Sequence, residues 1–118
     1  MSAVHMSALG SEDWELTDEP GPKPGCLIVQ LRRRAHVMPW FRFAYAEGDN
    51  GRIVAVFASH IVTVSGHGLA VLLAAISTQR VVRLIQPTEN EAKFGVRGPG
   101  AARYDGPSIT EISVEPIK

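Results

Sequence analysis

The sequence predicts an α+β domain, in which a small, strongly curved and mainly antiparallel sheet of about five to six strands packs against one apolar helix. Three observations carry that prediction. Short apolar or alternating runs recur between turn signals from residue 26 onward, an Asn50-Gly51 pair separates two of them, and one segment alone, from Leu69, switches to helical spacing. A chain of 118 residues holds one core and not two.

Residues 1–25 read as an acidic, Pro/Gly-rich flexible tail, and residues 26–118 as the single domain. Glu12, Asp13, Glu15, Asp18 and Glu19 stand against Lys23 alone, so the segment carries four negative charges and the remainder four positive ones. Pro20, Pro22 and Pro24 cannot donate to a ladder or continue a helix, which makes the end of this segment an extended linker. Trp14 and Leu16 are its large apolar anchors.

Residues 26–31 form a short apolar run between that linker and Arg32, Arg33 and Arg34, the pattern of a strand buried on both faces. Residues 36–46 alternate, with Phe41, Phe43 and Tyr45 on one face and Trp40, Arg42 and Ala44 on the other, and Pro39 sets an edge or a bend at the start. The first three side chains read as a core face. Asn50-Gly51 then signals a hairpin with a type I′ turn, since that turn takes positive φ at both central residues. Residues 52–65 are too long for one ordinary strand, so a turn or bulge is expected near Ala58, Ser59 and His60.

After Gly66, His67 and Gly68 the period changes. Leu69, Leu72, Leu73 and Ile76 mark one helical face, and Ala70, Val71, Ala74 and Ala75 the other, with no charge before Gln79. A helix apolar all round must be covered on both sides, either by the tail or by another subunit. Residues 80–86 resume a β-branched pattern up to Pro87, and residues 109–115 alternate Thr110, Ile112 and Val114 against Glu111, Ser113 and Glu115, as in an edge strand. Residues 98–107, with five Gly or Pro, read as a mobile loop. No internal repeat is present.

Composition narrows the function classes. Twelve basic and twelve acidic residues balance to zero, which removes the global electrostatic argument for a nucleic-acid or membrane-surface protein. Cys26 is the sole cysteine, so no internal disulfide forms, and a reducing, cytoplasmic compartment fits. The first residues show no basic, apolar leader, and the apolar part of residues 69–76 falls far short of the ~20 residues that span a bilayer.

The stretch from Phe57 through Ser59, His60 and Ser65 to Gly66, with Leu69, Leu72, Leu73, Val82 and Leu84, resembles a short bacterial domain family of uncharacterised function. The resemblance covers about residues 52–86. It implies no activity, ligand or catalytic residue.

Four groups of residues are candidates for chemistry. Ser59 beside His60, with His67 nearby, has the types of a nucleophile and its base, but adjacent strand residues face opposite ways unless the chain turns. No G-x-S-x-G elbow occurs, and no catalytic residue is assigned. His5, His36, His60 and His67 match no compact ligand spacing, and no metal or cofactor is assigned. Gly66, His67 and Gly68 lie where a strand meets a helix, where backbone N–H groups can hold a small anion, although glycines also simply make such a turn. Arg32, Arg33 and Arg34 with Trp40 and Arg42 form the basic and aromatic cluster that could hold single-stranded nucleic acid, without an RNP1 pattern to support it.

The leading expectation is a non-catalytic, self-associating interaction or binding module. Its interface would be Ala70, Val71, Ala74 and Ser77, small residues that let two helices approach in a homo-oligomer, most simply a dimer. The alternative is a binder of single-stranded nucleic acid or of a small anion, using the arginine cluster or the glycine turn.

Overall fold

The computed structural model describes residues 13–17, 22–87 and 107–117. Among these described residues, eight strands and one helix follow in the order β1 (Trp14–Leu16), β2 (Cys26–Gln30), β3 (Ala35–Pro39), a 3-10 turn (Trp40–Arg42), β4 (Phe43–Gly48), β5 (Arg52–Phe57), β6 (His60–His67), α1 (Ala70–Ser77), β7 (Val81–Ile85) and β8 (Ser108–Pro116). The broad α+β class is as expected. The sheet is not: two four-stranded sheets replace one, in the orders β1-β7-β2-β3 and β4-β5-β6-β8. The division comes from Trp40, Phe41 and Arg42, whose 3-10 turn breaks the run expected over residues 36–46 and carries the chain from the first sheet into the second.

Every pair is antiparallel except β2 with β7. The core lies between the sheets. Leu27 and Val29 enter it from β2, Ile53, Ala55 and Phe57 from β5, Val62 and Val64 from β6, and Leu69, Leu72 and Ile76 from the helical segment, all of them buried. Each set follows the period of its element, two in the strands and three to four in the helix. Where a strand departs from period two, a register shift accounts for it. The shift between Ser65 and Gly66 of β6 makes Thr110 the extra residue of β8, so Ile109 and Ile112 both turn inward.

The tail reading is corrected at its anchor. Trp14 is fully buried and Trp14–Leu16 pairs with β7, because an indole gains more from the core than a Pro-rich linker loses by being tethered. Asp13 is buried beside it, its Oδ2 accepting the Ile109 N–H at 2.6 Å and its carbonyl the Ile85 N–H. The body therefore takes in part of the acidic segment. The rest of the expected tail and most of the loop expected over residues 98–107 lie outside the described residues.

The core face expected for residues 36–46 is inverted at three positions. Trp40 is buried, its Nε1–H donating to the Val81 carbonyl at 3.1 Å, and its ring meets those of Phe43 and Phe57 at 5.2 and 5.6 Å. Phe41 and Tyr45 point outward. The 3-10 turn shifts the phase once, and a register shift between Phe43 and Tyr45 makes Ala44 an extra residue and shifts it again.

The hairpin between β4 and β5 stands where it was expected, but its turn differs. Among the described residues positive φ occurs at Gln79, Gly48 and Gly68, and not at Asn50 or Gly51. Asp49 closes the turn instead, its Oδ1 accepting the N–H groups of Gly51 and Arg52 at 2.8 and 3.0 Å. Gly48 is demanded by closeness, since a Cβ there would lie 2.2 Å from the Arg52 carbonyl oxygen.

Candidate functional site

The arginine cluster forms the tight turn from β2 to β3, where the Leu31 N–H donates to the Arg34 carbonyl at 2.7 Å. Arg32 reaches across to the second sheet. Its Nε–H donates to the Pro87 carbonyl at 2.8 Å, and its guanidinium lies 3.7 Å from the Glu111 carboxylate. Arg33 and Arg34 are exposed. Arg42 lies at the far end of β3, a strand of about 17 Å, with its guanidinium 5.5 Å from the Phe41 ring centre. With Trp40 buried, the structure does not gather Arg32, Arg34, Trp40 and Arg42 into one surface, and the stacking role expected of Trp40 is corrected.

The glycine turn is occupied by the protein itself. The Gly66 N–H donates to the Gly51 carbonyl at 3.0 Å, the Leu69 N–H to the Asn50 carbonyl at 2.9 Å and the Ala70 N–H to the Asn50 Oδ1 at 2.9 Å. Both glycines have packing reasons. A Cβ on Gly66 would lie 2.0 Å from the Ser108 carbonyl oxygen, and Gly68, at φ +65°, would meet Pro107 at 3.2 Å. His67 is exposed. The helix end is thus capped from the hairpin tip, which takes up the Leu69 and Ala70 amides.

Ser59 and His60 do meet, because the chain bends at Ala58 and Ser59 between β5 and β6. Ser59 Oγ and His60 Nδ1 are 2.8 Å apart, and the His60 ring lies 5.8 Å from that of His36 on β3. Burial, then the neighbouring His60 and Arg34, hold the His36 imidazole below its ordinary pKa. The three side chains sit at the seam where the edge of the first sheet faces the start of β6. A hydroxyl bonded to an imidazole can close a turn or lose a proton to a base; the second role also calls for a group that orients the ring. No group of three or more His, Cys, Asp or Glu side chains able to hold a metal occurs among the described residues, nor does a helix long and apolar enough to cross a membrane.

The expected helical interface divides by position. Ala70, Ala74 and Ser77 are exposed and Val71 is half-buried, while Leu72 and Ile76 enter the core. The Ser77 hydroxyl donates to the Ala74 carbonyl at 2.7 Å. The apolar surface with the larger side chains lies elsewhere. Tyr45 pairs with Val56, Val56 with Ile61 and Ile61 with Glu115, one row across the outer face of the second sheet. Beside it runs Glu47, Val54, Thr63 and Ser113. Sequence reasoning missed this face, although the signal was present: residues 52–57 and 60–65 are apolar at positions of both parities, the pattern of strands covered on both sides.

No protein-family model matches the chain, and neither does any curated protein or solved structure.

Proposed function

We propose that the protein is a non-catalytic interaction module that associates with a second copy of itself. The observation that carries this reading is the large apolar side chains left on its surface: Phe41 is 81% exposed and Tyr45 54%, with Val37 and Ile117 also exposed. Full burial of one such side chain stabilises by about 1.5–3 kcal/mol, which side chains of this size left in water would gain on association. A closed two-fold dimer is the commonest way to cover one patch with its own copy. The lone, free Cys26 supports residence in a reducing compartment such as the cytoplasm.

Sedimentation equilibrium of the full chain tests the reading. The weight-average mass should rise from monomer toward dimer with concentration, and a monomer at every concentration would overturn it.

The Phe41 and Arg42 pair favours a second reading. An exposed ring beneath a guanidinium can stack a base while the cation meets a phosphate, as in binders of single-stranded nucleic acid. Titration with a mixed-sequence single-stranded oligonucleotide separates the two. Tight binding that weakens with salt and on Arg42→Ala would support this reading, and no binding at physiological salt would remove it.

A further inference from the structure

We propose that His36 and His60 form a binding site for one divalent transition-metal ion of the zinc class, held between the two sheets at their seam. The site is independent of the self-association reading.

The strand periods place both imidazoles on inward faces. His36 stands opposite the buried Val29 and two positions before the buried Met38, so it continues the inward row of β3. His60 stands two positions before the buried Val62 and continues the inward row of β6. Further along, apolar side chains fill both rows. At the seam each row ends in a half-buried imidazole, a ligand type that suits zinc, copper and nickel.

The spacing of the two rings fits a shared ion. Their centres are 5.8 Å apart and their planes meet at 56°, so the rings are not stacked on each other. Two imidazoles that share a tetrahedral zinc, each with a Zn–N bond of about 2.0–2.1 Å, set their ring centres roughly 5–6 Å apart. Ser59 adds the contact that a ligating histidine makes with its other nitrogen. Its Oγ lies 2.8 Å from His60 Nδ1, and a proton held there leaves Nε2 as the ligating atom.

Two imidazoles make an open site. Among the described residues no further His, Cys, Asp or Glu joins them, so water fills the remaining positions of the ion. Arg34 is the charge that works against a cation here, since it already helps to lower the pKa of the His36 imidazole. Because the ligands come from different sheets, an ion bound by both ties the sheets together and stabilises the fold.

Calorimetric titration of the full chain with zinc chloride at neutral pH tests the site, and thermal unfolding without metal confirms that each variant folds. One zinc should bind per chain, and the melting temperature should rise with zinc concentration. His36→Gln and His60→Gln should each weaken binding at least tenfold, and Ser59→Ala should weaken it less. Arg34→Gln should tighten it. His67→Gln, at the far end of β6, should leave it unchanged. No binding up to millimolar zinc would overturn the site. So would zinc binding that survives both His36→Gln and His60→Gln, since the ion would then sit elsewhere.

Discussion

Asn50 Oδ1 accepts the backbone N–H of Ala70 at 2.9 Å, and the Asn50 carbonyl accepts that of Leu69. The tip of one hairpin thereby caps a helix twenty positions later in the chain, at an end where Leu69 offers no side-chain cap of its own. Asn50→Ala should lower unfolding free energy by about 1 kcal/mol in a denaturant titration, as the loss of a helix cap does. Asn50→Asp keeps the acceptor and places a negative charge at the helix N-terminus, so it should be close to neutral.

The hairpin also separates two glycines that look alike in sequence. Gly66→Ala drives a Cβ to 2.0 Å from the Ser108 carbonyl oxygen and 2.9 Å from the Ile109 Cα, both backbone atoms of a paired strand. A loss of about 3 kcal/mol is expected. Gly51→Ala meets nothing closer than 3.7 Å and has no positive φ, so its effect should stay within about 0.5 kcal/mol. A large cost at Gly51 would restore the type I′ turn.

Asp13 ties the N-terminal strand to the last one. Asp13→Ala leaves the Ile109 N–H without its carboxylate, and a buried donor stripped of its acceptor costs about 1–3 kcal/mol. Asp13→Asn keeps an acceptor oxygen and should lose less. Both are read by thermal or denaturant unfolding.

His36 makes stability depend on pH. Burial, His60 and Arg34 lower its pKa in the fold, so the unfolded chain binds the proton more readily than the native protein. Its contribution is therefore full above the ordinary histidine value of about 6.5 and is lost as pH falls from there toward the depressed native value. His36→Gln should flatten the decline in stability between about pH 7 and pH 5. An unchanged slope would show that another group governs it.

Much of the architecture was legible from residues 26–86, and the reasons differ by element. The helix showed itself through Leu69, Leu72 and Ile76, and the division near Ser59 through strand length. Residues that answer to distant partners were not legible. Trp40 is drawn inward by the Val81 carbonyl and by Phe57, and nothing in residues 36–46 announces either. Trp14 finds β7 some seventy positions later. Among the candidate residues, Ser59 and His60 were found as a pair, but the nearness of His36 depends on two sheets meeting at a seam, which no local pattern encodes. Tyr45, Val56, Ile61 and Glu115 form a row only once three registers are known.

The place of β7 between β1 and β2 bears on how the molecule is assembled during synthesis. β1 and β2 leave the ribosome long before Val81–Ile85, yet both pair with that strand, one antiparallel and one parallel. The first sheet cannot be completed while the chain is still growing through the second, and contacts so far apart in sequence form slowly. Until β7 arrives, Trp14, Leu27 and Val29 have no finished core to enter, and the nascent chain is at its most vulnerable to aggregation and to chaperone capture.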